Sequence, residues 1–409
     1  MKVIYFHQHF STPAGSAGTR SYEFARGLIE SGHDVLMVCG SYAGGATELS
    51  GAFRNGVRTG AVDGINIVEF ELPYSNRDGF VRRVLTFLKY AWRSVRMALH
   101  EDYDVIFATS TPLTASIPGI AAALFRRKPF VFEVRDLWPE LPREMGVITN
   151  PIILWLMSVL EWISYRTATA CIGLAPGIVA GIERLGVAPE RIHFIPNGCD
   201  LDFFSAEASE GGGRPAGVGQ DDFVAVFAGT HGIANGLDAV LDVAQELQKR
   251  GRSDIKLVLV GDGGLKPKLI ERATRAGLAN CVFLPGMPKA RLARLFADSD
   301  AGLMLLANVP AFYFGTSPNK FFDYISAGLP VITNYPGWIA QLLSENACGI
   351  AVPPEDPGRF ADALETMAND RALRLSMRRN GRALAEREFD RVKLAKEFQG
   401  VLIQAARRA

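Results

Sequence analysis

The sequence predicts two α/β domains in series, each a parallel sheet covered by helices. Three observations carry this. Short β-branched apolar runs alternate with stretches of helical period, the mark of repeated strand–helix–strand units. The alternation stops at "SAEASEGGGRPAGVGQ" (205–220), the most glycine-rich and least apolar stretch, and then restarts. With 409 residues and 48% hydrophobic content, the chain can fill two cores of ordinary size.

The elements follow in order. "KVIYF" opens as a strand, "GTRSYEFARGLIESGH" is an amphipathic helix stopped at Gly32, and "DVLMVCG" is a buried strand. Further strands are expected at "INIVEFEL", "YDVIFATS", "PFVFEVRD", "ACIGLA" and "RIHFIPNG". Helices fall between them at 80–100, 112–126, 151–168 and 175–185. Beyond the glycine-rich loop come "FVAVFAGT", a helix from Leu237 to Lys249, "IKLVLVGDG", "VFLPG", "AGLMLL", "PVIT" and "GIAVPP", again separated by helices. The chain ends in helices rich in Arg and Ala. The expected domains are 1–198 and 199–385, with 386–409 a terminal helix returning to the first. In such sheets ligands bind beyond the carboxyl ends of the strands, and two facing domains make a cleft.

Composition narrows the function. A net charge of +1 gives no global field for nucleic acid. Five scattered cysteines lack metal-type spacing and suit a reducing compartment with buried thiols. "MKVIYFHQHF" reads as a strand, not a signal peptide. No run reaches the length of a membrane span. A cytoplasmic protein is expected, with surface attachment open.

The stretch "FGTSPNKFFDYISAGLPVI" (314–332) carries the sharpest chemical hint. Pro318 and Asn319 open a helix that stops at Gly328 before a β-branched strand. Lys320 in the first turn opposes the helix dipole, and a bound phosphate would repair that conflict. Asp323 lies one turn on, on the same side, where it can accept hydrogen bonds from a diol. A phosphate and a diol together suggest a nucleotide. Three other glycine-containing loops follow predicted strands, at 11–20, 228–236 and 260–264. None is a Walker A motif or a dinucleotide fingerprint, and singly each fits any α/β turn.

Six segments in order carry a family resemblance: 7–38, "VFEVRDLWPE", "HFIPNGCDLDFF", "LVLVGDGGLKPKL", "VFLPGMPKARLARLFADSDAGLM" and "SPNKFFDYISAGLPVI". Over essentially its whole length the chain resembles the retaining glycosyltransferases of family 4. These have the GT-B fold, two Rossmann-like domains facing a cleft. It is most similar to bacterial O-antigen and capsule L-fucosamine and N-acetylhexosamine transferases. The resemblance implies an acceptor-binding domain at 1–198, a nucleotide-sugar-binding domain at 199–385, and a final helix packed back on the first.

It also implies roles. Asp323 matches the second acid of the family's Glu-x7-Glu motif, which holds the ribose. The first acid falls at Gly315, so sugar contacts pass to Thr316, Ser317 or backbone. In "AGTHGIANG" the relatives' Arg and Lys are replaced by Thr230, His231 and Asn235. Lys320, with Asn319 beside it, then becomes the diphosphate charge, helped by Arg20 and the Gly15–Gly18 loop. Gly263 would approach the nucleotide and Met287 the base. Asp136 falls where relatives place a cleft-facing His or Asp. It would orient the acceptor hydroxyl or take its proton; the rival reading is a helix cap or a partner of Arg135. His9 is a second acceptor-side candidate, its rival role structural. The chemistry implied is retaining transfer from a UDP-sugar, with no cofactor and no metal, to a polyprenyl-diphosphate-linked saccharide. A nucleotide-sugar 2-epimerase and a non-catalytic nucleotide-sugar-binding subunit are the alternatives.

Two segments bear on membranes. Residues 79–100 hold no acid; an apolar face runs beside Arg82, Lys89, Arg93 and Arg96, the pattern of an interfacial helix on anionic lipid. That helix would place the protein on the inner face of the cytoplasmic membrane. "PIILWLMSVLEWISY" (151–165) is apolar nearly all round and reads as a buried helix, with an acceptor-lipid groove as the alternative.

Overall fold

The computed structural model describes residues 1–15, 18–42, 45–75, 78–204 and 214–408. The chain forms two compact units. The first holds residues 1–196, 315–317 and 392–409; the second holds 197–314 and 318–391. Of the glycine-rich stretch, 205–213 lie outside the described residues.

The first unit runs β1 (Lys2–Phe6), α1 (Arg20–Glu30), β2 (Asp34–Tyr42), β3 (Val57–Val62), β4 (Ile65–Tyr74), α2 (Phe80–His100) and β5 (Val105–Thr109). It continues with α3 (Ile117–Arg126), β6 (Phe130–Val134), α4 (Glu140–Glu144), α5 (Pro151–Thr167), β7 (Ala170–Gly173), α6 (Pro176–Arg184) and β8 (Ile192–Phe194). The sheet order is β3-β4-β2-β1-β5-β6-β7-β8. All pairs are parallel except β3–β4, an antiparallel pair the sequence did not announce. β3 is a polar edge strand with a central Gly60, so it lacks the apolar run that marks the others. The order reverses at β1, which pairs with both β2 and β5. Loops leaving the carboxyl ends of β1 and β5 therefore diverge, the switch point beyond which such sheets bind ligands.

The second unit runs β9 (Phe223–Ala228), α7 (Asp238–Lys249), β10 (Ile255–Val260), α8 (Lys266–Arg275), β11 (Cys281–Leu284), α9 (Lys289–Ala297) and β12 (Ala301–Met304). After α10 (Pro310–Gly315) come α11 (Asn319–Ser326), β13 (Val331–Thr333), α12 (Trp338–Glu345), β14 (Gly349–Ala351), α13 (Pro357–Asn369) and α14 (Arg371–Glu388). Its sheet is fully parallel, β11-β10-β9-β12-β13-β14, with the reversal between β9 and β12. Its core packs Phe227, Leu241, Leu257, Leu303 and Phe360.

The last helix, α15 (Arg391–Arg407), spans the return to the first unit. There Phe398, fully buried, stacks on Phe24 at 4.7 Å and meets Phe107 edge-on at 4.8 Å. Burying one such ring contributes about 1.5–3 kcal/mol, which ties the terminal helix to β5 and α1.

Helix α5 corrects its sequence reading. Ile152, Trp155, Leu156, Val159 and Trp162 are all exposed. The helix packs inward through a polar row instead: Ser164 donates to Ser116 at 2.8 Å, and Tyr165 to Glu161 at 3.0 Å. Hydropathy alone cannot rank a hydrogen-bonded polar row as the buried one.

Candidate active site

In the second unit, Thr230, His231, Gly263 and Lys320 stand at the carboxyl ends of β9, β10 and β12, and Met287 follows β11. Helix α11 is set in place by Tyr324. Its ring packs where Gly302 has no side chain; a Cβ there would lie 2.5 Å from the ring. Its hydroxyl accepts from Ala228 N–H at 3.0 Å and donates to the Leu303 carbonyl at 3.3 Å. One turn earlier, the same helix delivers Lys320 between the ends of β9 and β12.

Lys320 is surrounded by neutral groups. Its ammonium donates to the side-chain oxygen of Asn235, approaches the Leu305 carbonyl at 3.5 Å, and lies 4.6 Å from the Phe227 ring centre. No carboxylate pairs with it among the described residues. Burial pushes its pKa down to about 7. Helix α11 also starts without a side-chain cap. A cation and an uncapped helix start thus share one end of the sheet, a fit for an anion.

The loops around it pack by backbone. At Gly263 a side chain would strike the His231 carbonyl at 2.4 Å. Gly261 has φ +139°, and a Cβ there would meet the Gly229 carbonyl at 1.9 Å. His231 N–H donates to the Asp262 carbonyl at 3.0 Å, and Asn235 Nδ2 to the Thr230 carbonyl at 2.7 Å. Thr230 is exposed, whereas His231 is fully buried and its ring nitrogens have no partner among the described residues. Burial pushes the His231 pKa down to about 4, so its ring is neutral near pH 7. Met287 is half-buried beside Gly286, whose N–H donates to Asp262 at 2.8 Å.

Asp323 faces Lys289 at 3.6 Å. Lys289 also pairs with Asp200, which in turn pairs with Arg391 at 2.8 Å. Sequence reasoning missed this chain of charges, because its members lie far apart along the polypeptide. Asn319 is exposed at the start of α11. Thr316 and Ser317 are half-buried in the short segment that belongs to the first unit.

In the first unit, the acceptor candidates stand at the carboxyl ends of β1, β5 and β6. Asp136 is not at a helix cap, and it feels Arg135 electrostatically without an ion pair among the described residues. Pro139, not Asp136, stands at the N-cap position of α4, and Arg135 turns to Glu133 at 3.1 Å. Among the described residues, the Asp136 carboxylate accepts one hydrogen bond, from Thr111 at 3.4 Å. Thr111 adopts φ +87°, a strained conformation for a β-branched residue. Burial raises the Asp136 pKa, against the pull of Arg135. Nearby strand-end groups are buried without partners among the described residues: His7 Nδ1, Gln8 Nε2 and Oε1, His9 Nε2 and Trp138 Nε1. Such orphaned polar atoms on one sheet edge are what a polyhydroxylated ligand can satisfy. His9 itself stacks on Tyr74 at 4.5 Å, and burial lowers its pKa to about 4.

Arg20 requires a correction. It is buried, 2.9 Å from Glu133, and donates to the carbonyls of Pro196 and Ile195. Its donors are spent inside the first unit, so it offers no charge for a diphosphate. Glu133, unmarked in the sequence because it looks like one more strand residue, also accepts from Thr109 at 2.8 Å. Burial opposes its charge, yet Arg20 and Arg135 hold its pKa below the usual range. Gly15 closes a turn onto the Thr12 carbonyl at 3.1 Å, and Gly18 follows it; Ser16 and Ala17 between them lie outside the described residues.

Two domain descriptions match this chain: "Glycosyl transferase 4-like domain" over residues 15–198 and "Glycosyl transferases group 1" over residues 214–384. The chain belongs to the two-domain glycosyltransferases. Alpha-D-kanosaminyltransferase of Streptomyces kanamyceticus is 25% identical to this glycosyltransferase over 260 residues, 62% of this chain and 64% of that one. The chain spans about half to two thirds of the length of the curated relatives it matches. Sucrose-phosphate synthase of Thermosynechococcus elongatus superposes with TM-score 0.78 at 15% identity over 100% of both chains. Anabaena Alr3699/HepE in complex with UDP-glucose gives TM-score 0.68 at 17% identity over 99% of this chain and 100% of that one. These solved structures share the GT-B fold with the glycosyltransferase.

Proposed function

We propose that this glycosyltransferase moves a sugar, an N-acetylated or deoxy hexose, from a UDP-sugar to a polyprenyl-diphosphate-linked saccharide, with retention of configuration. The reading places that reaction in bacterial surface-polysaccharide synthesis, on the inner face of the cytoplasmic membrane. One observation carries the donor half: Lys320, a half-buried, desolvated ammonium among neutral partners at the start of α11. In this mechanism the diphosphate leaving group draws its stabilisation from Lys320, the α11 N-terminus and the backbone of the Thr230–Asn235 loop. Asp323 accepts from the ribose diol. Asp136, supported by Thr111, orients the acceptor hydroxyl in the first unit, and the departing phosphate helps to remove its proton. Helix α2, basic and apolar, serves the membrane side.

The test is thermal unfolding with UDP, GDP, ADP, dTDP and UMP, each with and without EDTA. A ligand that binds only the folded state raises the melting temperature by mass action. A shift with UDP alone, insensitive to EDTA, supports the reading. A shift with a different nucleotide overturns the donor, and loss of the UDP shift in EDTA overturns the metal-free mechanism.

A further inference from the structure

Helix α2 turns its apolar row away from the protein. Val81, Leu85, Leu88 and Trp92 are 50% exposed or more, while the small and polar residues Thr86, Ala91, Ser94 and Ala98 face inward. Helix α3 packs against α2 on one side and α5 on the other. Its end exposes Leu124 and Phe125, and α5 exposes Ile152, Trp155, Leu156 and Trp162. The right-handed crossovers β4–α2–β5, β5–α3–β6 and β6–α5–β7 put all three helices on one face of the sheet. The layer therefore carries outward apolar side chains on three adjoining helices. That is far more than the isolated exposed hydrophobics an ordinary monomer surface shows.

Charge selects the occupant. α2 carries no acid, and Lys89 and Arg96 form no ion pair among the described residues. Arg96 lies 5.4 Å from the Trp92 ring and Arg166 lies 5.5 Å from the Trp162 ring. Tryptophans flanked by unpaired cations are the composition of a protein surface seated at the headgroup level of a membrane. No described helix is long and apolar enough to cross a bilayer. We infer that α2, the end of α3 and α5 form one docking platform for an anionic lipid bilayer, lying on its surface.

The platform has a direction. α2 and α5 both start at the carboxyl edge of the first unit's sheet, the edge that carries Asp136 and the orphaned polar atoms of His7 and Gln8. The early apolar residues of α2 and α5 flank that edge, so a lipid-borne saccharide is presented to Asp136 from the bilayer. This last point rests on the lipid-linked acceptor proposed above; the docking itself does not.

The experiment is co-sedimentation of the full chain with vesicles of phosphatidylglycerol and phosphatidylcholine, against phosphatidylcholine alone. Three proteins are compared: the native chain, Lys89→Glu/Arg96→Glu, and Trp155→Ser/Trp162→Ser. Binding to the anionic vesicles is expected for the native chain. The charge variant should lose at least ~10-fold in partitioning, and the tryptophan variant a similar amount. All substituted side chains are exposed, and an unchanged melting temperature confirms folding. Native binding with a fully active tryptophan variant would confine docking to α2 and overturn the platform, as would no binding at low salt. A lipid-free dimer that Trp155→Ser/Trp162→Ser dissolves would assign the face to a second copy and overturn it too. The UDP melting shift, measured on the same proteins, reports separately on the donor site.

Discussion

The ammonium of Lys289 stands 3.6 Å from the carboxylate of Asp323. Burial pushes the Asp323 pKa up, and Lys289 and Arg391 pull it back only in part. A raised carboxyl loses its charge as pH falls through its folded pKa. Its capacity to accept from a ribose diol is therefore present above that pKa and lost below it. Lys289→Ala removes the nearest counter-charge and moves this loss to higher pH. Calorimetric UDP titrations across acidic to neutral pH should show affinity weakened about 10-fold, as for one charge-assisted bond. The acid limb should shift upward, and Lys289→Arg should restore both. An unshifted limb would separate Asp323 from the nucleotide.

Lys320 makes an opposite prediction about stability. Its folded pKa, about 7, lies below the ordinary 10.5. The unfolded chain therefore binds the extra proton between those values, and stability from this group rises with pH across that window. Lys320→Met removes the cost of a partly desolvated charge near and below pH 7. The free variant should melt a few degrees higher than the native protein (~1 kcal/mol gives roughly 2–4 °C in a domain of this size). The same variant should lose ~10–100-fold in UDP affinity. In the native protein at pH 8, UDP binding should take up a proton, visible as a buffer-dependent binding enthalpy. Proton-neutral binding would place the diphosphate elsewhere.

Much of this was legible in the sequence, and the exceptions have common causes. "GTSPNKFFDYISAG" shows its helix because capping residues, apolar period and terminal glycine agree. Lys320 stood out because a first-turn lysine opposes the helix dipole. The partners of Arg20 were invisible. Glu133 sits inside "VFEV" and reads as one more strand residue, and their pairing spans two elements far apart in sequence. Lys289 was hidden for the same reason, being defined by Asp200 and Asp323. The inward row of α5 is made of Glu161, Ser164 and Tyr165, and only tertiary hydrogen bonds reveal it as buried. Local pattern reports periodicity well and long-range charge pairing not at all.

Asp136 should separate chemistry from donor binding. Its carboxylate belongs to the first unit, while Lys320 and Asp323, the groups proposed to face UDP, belong to the second. Asp136→Asn keeps the size and the Thr111 contact but removes the charge. Transfer should fall by about 10²-fold, the low end for a group that handles a proton, while the UDP melting shift stays as in the native protein. Thr111→Ala, which removes the hydrogen bond from Thr111, should give a smaller loss of the same kind. Loss of UDP binding in Asp136→Asn would assign that residue to the donor instead.

Arg20 offers the sharpest contrast between a structural and a catalytic cation. Its guanidinium is held by Glu133 and two carbonyls at the end of the first unit. Removing one partner of a buried ion pair leaves the other uncompensated and typically costs ~3–5 kcal/mol. Arg20→Ala and Glu133→Gln should therefore each lower the melting temperature by roughly 10 °C or more. Glu133 has a depressed folded pKa, so its stabilising contribution is complete above the ordinary carboxyl range and fades as pH falls through the folded value. The native protein should lose stability with acidification in that window, and Glu133→Gln should lose less. Measured below the lowered melting temperature, UDP affinity should be unchanged in both variants, because Arg20 and Glu133 satisfy each other inside the first unit. A selective loss of UDP affinity in Arg20→Ala, with Glu133→Gln unaffected, would return Arg20 to the diphosphate.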